Sequence, residues 1–233
     1  MAVRLSPEIE VDALGFDLDH TLGFDDRLEL RTMLRYAREA AASRGAAVGG
    51  ALREHASALL ALARVGQLTI DQAMAIFLGA YLPASRAKAE VARWREEVVA
   101  EARVGMRPAP GARACIERLQ VRGIPVAILT NGWSPLQEAK AQSLGLSHLP
   151  MLISEHIGAL KPAPEAFAAL VSRLGTRPER TAYVGDDLDG DVLGARAAAL
   201  VAVWVPERDP AAADLRALPH DVVTVRTLAE LAP

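Results

Sequence analysis

The run Val11-Asp12-Ala13-Leu14-Gly15-Phe16-Asp17-Leu18-Asp19-His20-Thr21-Leu22 most constrains what this chain can fold into. It opens as a short apolar segment bounded by turn-forming residues, too short for a helix, and so predicts a buried strand. It ends on two aspartates spaced i, i+2. Side chains alternate along a strand, so Asp17 and Asp19 are expected on one face. Two carboxylates at the mouth of an apolar strand repel each other and are costly to desolvate. A cation is the expected companion, and Mg²⁺ suits oxygen ligands while keeping several waters. The plain alternative is a pair of acids that only solvates a strand end.

From Asp25 onward the strand pattern disappears. Apolar residues recur at helical spacing in four stretches: Leu30 to Ala41, Leu52 to Ala63, Ile70 to Ala80 behind a Thr69 N-cap, and Ala87 to Ala102. Gly45–Gly50 and Gly66 punctuate them. Four amphipathic helices with short connections predict a bundle. After Met106-Arg107-Pro108-Ala109-Pro110-Gly111 the pattern alternates. Helices over 112–122, 135–144, 164–174 and 189–199 separate short apolar runs at 124–129, 149–153, 181–184 and 200–205. Val222-Val223 adds an edge strand and Leu228–Leu231 a terminal helix. Strands alternating with helices predict βαβ units and a parallel sheet. The expected class is therefore α/β, a doubly wound parallel sheet formed by residues 1–24 and 105–233, with a helical bundle inserted over 25–104.

Ligands bind open α/β sheets at the carboxyl ends of the strands. The polar residues expected there are Asp17 and Asp19, then Thr130-Asn131-Gly132, then Lys161-Pro162, then Gly185-Asp186-Asp187 with Asp191. Acids, one lysine, a hydroxyl and glycine-flanked amides suit a phosphoryl group, whose transfer depends on positioning and electrostatics. A carboxylate can itself be the nucleophile. No Ser-His pair or Cys/His cluster is evident, which counts against acyl transfer and zinc.

These four motifs, in this order, resemble the haloacid dehalogenase (HAD) superfamily, in the branch with a helical cap inserted after strand 1. The resemblance covers about Val11 to Val205 and implies an Mg²⁺-dependent phosphatase. Asp17 would attack phosphorus. Asp19 would protonate the leaving oxygen and then deprotonate water. Thr130 would hold the phosphoryl oxygens with Leu18, Asn131 and Gly132 as phosphate-binding positions. Lys161 would neutralise charge. The metal would fall to Asp17, the backbone carbonyl of Asp19 and Asp186, with Asp187 and Asp191 as secondary candidates. One of these last two is expected to act and the other to cap a helix. An acid at position 19 resembles the phosphatase and phosphomutase branches, because an alkoxide leaving group needs a proton and a halide does not. The alternatives are a sugar phosphomutase of the same fold and a non-enzymatic phospho-accepting or binding module.

Several residues carry weaker expectations. His20, where the family often has glycine, is expected to be satisfied by local backbone. Trp133 and Ser134 are placed at the entrance, Trp94 in the core, and Gly45–Gly50 as a specificity loop. Residues Asp25 to Arg103 hold 12 basic and 10 acidic side chains, against 14 and 19 elsewhere. A mildly basic insert favours an anionic substrate, within the reach that screening allows. The expected partner is a small phosphorylated metabolite. The net charge of −3 gives no reason to expect nucleic acid, and no apolar run has membrane-spanning length. A lone cysteine, Cys115, and a start without an apolar leader point to the cytoplasm.

Overall fold

The computed structural model describes residues 2–45, 49–207 and 218–231. The chain divides into two compact units, Met1–Phe24 with Met106–Pro233, and Asp25–Gly105. In the first, β1 (Val3–Arg4) pairs antiparallel with β2 (Glu10–Val11). The central strand β3 (Ala13–Phe16) follows, then β4 (Gly23–Phe24). The second unit comprises α1 (Leu28–Ala42), α2 (Leu52–Arg64), α3 (Ile70–Gly79) and α4 (Ala84–Gly105). Its apolar faces bury Met33, Met74, Phe77, Trp94 and Val98 completely. Trp94 is thus core, its indole N–H donating to Thr32 Oγ1 at 2.9 Å. Thr69 begins α3 with a reciprocal cap: its hydroxyl accepts from Gln72 N–H at 3.1 Å, and Gln72 Oε1 accepts from Thr69 N–H at 2.8 Å. The connection expected to select substrate includes residues 46–48, which lie outside the described residues.

The chain re-enters the first unit at β5 (Arg107–Pro108), which pairs antiparallel with β4. Then come α5 (Ala112–Val121), β6 (Val126–Thr130), α6 (Leu136–Ser143), β7 (Met151–Ile153), α7 (Ser154–Ile157), α8 (Pro164–Leu174), β8 (Thr181–Gly185), α9 (Gly194–Ala197), β9 (Val201–Trp204) and β10 (Val223–Thr224). The main sheet is parallel in the order β10-β9-β8-β3-β6-β7. Alternation along its buried strands divides the core in two. Leu14, Phe16, Val126, Ile128, Ala182 and Val184 pack with α5 and the 3₁₀ turn Leu228–Leu231 on one face. Ala13, Ala127, Leu129, Tyr183 and Trp204 pack with α8 on the other. β3 is the strand bordered by both β6 and β8, so the residues that follow it emerge between theirs.

Two local expectations are corrected. β3 ends at Phe16, before either aspartate, so strand alternation does not govern where Asp17 and Asp19 point. The helix expected over 189–199 is instead a π-helical stretch, Leu188–Leu193, followed by the single turn α9. Both Asp191 and Val192 donate their N–H to Asp187 O, which widens the turn. The small ribbons β1–β2 and β4–β5 had no legible signal, since each strand is two residues long.

Candidate active site

Lys161 is the buried centre of the strand-end cluster, and its ammonium has three protons to place. One goes to Asp17 Oδ1 at 2.6 Å, one to Asp191 Oδ1 at 2.7 Å and one to the Tyr183 hydroxyl at 2.7 Å. Tyr183 in turn donates to Leu129 O at 2.7 Å. Burial works against the charge on Lys161, but Asp17, Asp191 and Tyr183 outweigh it and hold the ammonium protonated well above the usual lysine range. Asn131 fixes the lysine's backbone from both sides: its Nδ2 donates to Lys161 O at 2.9 Å and its Oδ1 accepts from Lys161 N–H at 2.8 Å.

Three carboxylates surround this one lysine. Asp17, Asp186 and Asp191 bring ligand oxygens within 4.8 Å of one another. Burial pushes Asp17 well above the carboxylate range, with Lys161 opposing and the neighbouring acids reinforcing the rise. Burial, then Asp191, pushes Asp186 up to about 6. The cluster has more negative charge than Lys161 can balance. A hard divalent cation would supply the difference, and an all-oxygen donor set fits Mg²⁺. Asp191 spends one oxygen on Lys161 and the other on Asp187 N–H at 3.1 Å. Asp186 gives Oδ1 to the Thr21 hydroxyl at 3.2 Å. The bonds to Lys161 and Thr21 engage Oδ1 of Asp17 and of Asp186, which leaves Oδ2 of each to offer an ion. Asp187, meanwhile, accepts from Asp189 and Gly190 N–H at 3.0 Å each, capping the stretch that follows it.

Asp19 has its own lysine. Lys140 Nζ donates to Asp19 Oδ1 at 2.8 Å and Gln137 Nε2 donates to Oδ2 at 2.8 Å. Gln137 also bonds Thr130 Oγ1 at 2.6 Å, tying the strand-end hydroxyl to the acid. Each of the two aspartate side chains thus holds a lysine of its own. Neither Gln137 nor Lys140 was expected from the sequence. Their signal was available: Trp133, Gln137, Lys140 and Leu144 recur at helical spacing, and all four are buried. Two polar residues set in an apolar stripe need partners.

The remaining expected residues fall nearby with altered roles. Leu18 has a fully buried side chain, so only its backbone can face a ligand. Gly132 N–H donates to Ser154 Oγ at 3.0 Å, so its proton is already placed. Trp133 is buried rather than lining an entrance. His20 departs from expectation too. It holds the left-handed region at φ 65°, which explains why glycine suits this position. Among the described residues its Nδ1 has no hydrogen-bond partner, the nearest carboxylate being Glu207 Oε1 at 3.4 Å.

A model of the haloacid dehalogenase-like hydrolases matches residues 11–199. The chain belongs to that family. It is 41% identical over 114 residues to a phosphoserine phosphatase of Thermus thermophilus, covering 46% of each. The chain spans about half the length of the curated relatives it matches. Two solved family structures share its fold: an HAD phosphatase from Thermococcus onnurineus, at TM-score 0.68 and 21% identity over 95% of this chain and 96% of that one, and a 2-haloacid dehalogenase from Pseudomonas syringae, at 0.69 and 23% over the same shares. Membership therefore fixes the scaffold, and the site must decide the reaction. No described helix is long and apolar enough to cross a membrane.

Proposed function

We propose that this chain is an Mg²⁺-dependent phosphatase of small phosphomonoesters, working through an aspartyl phosphate on Asp17. One observation carries the reading: a second acid, Asp19, is held separately from the Asp17 cluster by Lys140 and Gln137. Displacing a halide needs no proton donor; displacing an alkoxide does. The phosphatase name of the Thermus relative supports the same class.

In the first step an Asp17 oxygen attacks phosphorus, the bond from phosphorus to the leaving oxygen breaks, and protonated Asp19 gives that oxygen its proton. In the second, Asp19 takes a proton from water, the water oxygen attacks phosphorus, and the bond to Asp17 breaks. Lys161 has its three protons on protein acceptors, so it acts on the phosphoryl group by charge. The Thr130 hydroxyl orients the group, and the Leu18 and Asn131 backbones lie at hand to assist. Asp17, Asp186 and the backbone of Asp19 would hold Mg²⁺, with Asp191 behind them. The bound ion would supply charge neutralisation at the transferring phosphoryl oxygens. The helical unit, inserted directly after β4, is proposed as the cap that selects a phosphorylated metabolite, and the setting as cytoplasmic.

The test is phosphate release from a panel of phosphomonoesters, with Mg²⁺ and with chelator, beside Asp17→Asn. Release that needs Mg²⁺ and is lost in the variant is expected. Stable phosphorylation of Asp17 with transfer to a sugar rather than water would replace hydrolysis by a mutase reaction. Absence of both turnover and phosphorylation would refute the proposal.

A further inference from the structure

The separate anchoring of Asp19 leads beyond the four motifs. Asp19 sits past the end of β3, and its side chain is 27% exposed. Its backbone bridges only to Gly23, outside the main sheet, and such a bridge does not fix a side-chain rotamer. Two side chains one helical turn apart on α6 fix it instead. Lys140 and Gln137 are each 2% exposed, and each holds a different oxygen of the carboxyl group. Two donors on two oxygens define the carboxyl plane, which one donor cannot do. Each carboxyl oxygen has a second lone pair, so a site for the transferable proton remains. Gln137 Nε2 also reaches Thr130 Oγ1 at 2.6 Å and Asn131 O at 3.2 Å, so the same amide ties Asp19 to the end of β6.

We infer that Gln137 and Lys140 are positioning residues that aim Asp19 at the leaving oxygen. This rests on the phosphatase reading. A lysine is a costly way to fill an apolar helix face. Burying an ammonium carries a desolvation penalty that packing alone does not return, and it is offset here by the carboxylate it holds. Met at 140 would fill the space but leave Asp19 without its ammonium partner.

The experiment separates aim from structure by the leaving group. The probes are 4-nitrophenyl phosphate, whose phenolate departs without help, and phenyl phosphate, whose phenolate needs a proton more. The readout is kcat/KM, which covers the steps up to formation of the aspartyl phosphate. In Lys140→Met the loss on 4-nitrophenyl phosphate should be about threefold or less, and on phenyl phosphate at least about 30-fold, within the range of acid–base contributions. Lys140→Arg should recover part of the phenyl phosphate rate, and Gln137→Leu should show the same split. Equal losses on both probes, or no loss on either, would overturn the inference while leaving the phosphatase reading intact. If Lys140→Met does not fold, Gln137→Leu and Lys140→Arg decide by the same ratio. Wild-type protein inactive on both probes with Mg²⁺ would overturn the reading and this inference together.

Discussion

Gly185→Ala should disable the site by crowding Asp191. Gly185 closes β8, and its φ lies outside the left-handed region, so the substitution brings no backbone strain. What it brings is a collision. A Cβ there would lie 2.2 Å from Asp191 Oδ2 and 2.4 Å from Asp191 Cβ. Carbon atoms rest about 3.5 Å or more apart, so Asp191 must retreat by about 1 Å. Its Cβ cannot do so alone, because it is tied to the π-helical backbone. A bond of 2.7 Å to Lys161 does not survive such a shift. Overpacking of this kind costs roughly 1–3 kcal/mol. Weakening a buried ion pair adds to that, though less than its full loss of roughly 3–5 kcal/mol, because Lys161 keeps Asp17 and Tyr183. A total of about 3 kcal/mol lowers Tm by roughly 6–12 °C for a chain of this size. Misplacing Lys161 by about 1 Å should lower kcat about 100-fold. Gly190→Ala is the control: its Cβ meets nothing nearer than Asp187 Cγ at 3.3 Å, so both properties should stay near wild type. Calorimetry and phosphate release measure the pair. Gly185→Ala with wild-type Tm and rate would refute the packing argument.

Three further outcomes follow from other parts of the chain. Burial pushes the Cys115 thiol up to about 11, so at pH 8 only about one molecule in a thousand carries a thiolate, and iodoacetamide should label the native protein far more slowly than the denatured one. Thr69→Ala removes the hydroxyl half of the α3 cap and should cost about 1 kcal/mol in chemical denaturation, without changing activity at saturating substrate. The hydrogen bond from Arg180, with its charge, holds the Asp12 carboxyl below the usual range. A lowered folded-state value means stability that is complete above the unfolded value near 3.9 and disappears as pH falls through the folded one; the Tm gap between wild type and Asp12→Asn should therefore close below about pH 4, and a gap that widens there would contradict the sign.

The parallel order of the sheet was legible because each strand is a short apolar run closed by polar residues at its carboxyl end. Lys161, Asp17 and Asp191 could be brought together on that logic alone. The division of labour between Asp187 and Asp191 could not. Both lie just after a strand, and only the widened turn turns Asp191 inward while Asp187 caps. Gln137 and Lys140 were hidden for a different reason. A polar residue on a helix is ordinarily solvated, and the expectation for α6 stopped at its being a helix. Its phase, marked by buried Leu136, Ala141 and Leu144 one turn away from them, puts both polar residues on the inward face. Tyr183 was concealed in the same way, as one apolar-looking member of β8 whose hydroxyl reaches Lys161.

The β4–β5 ribbon has a consequence for how such chains diversify. Gly23 lies opposite Pro108 and Phe24 opposite Arg107, so the points where the chain leaves the sheet-bearing unit and returns to it are neighbours on one two-stranded clip. The helical unit Asp25–Gly105 is spliced into what is, from the sheet's side, the tip of a hairpin. A clip of this kind transmits little about the length or sequence of what it holds. Helical inserts from other family members, joined at Phe24 and Arg107, should therefore leave the sheet's register and the Lys161 cluster unchanged. On the proposed reading of the helical unit as a substrate-selecting cap, such an exchange would swap substrate preference as a cassette.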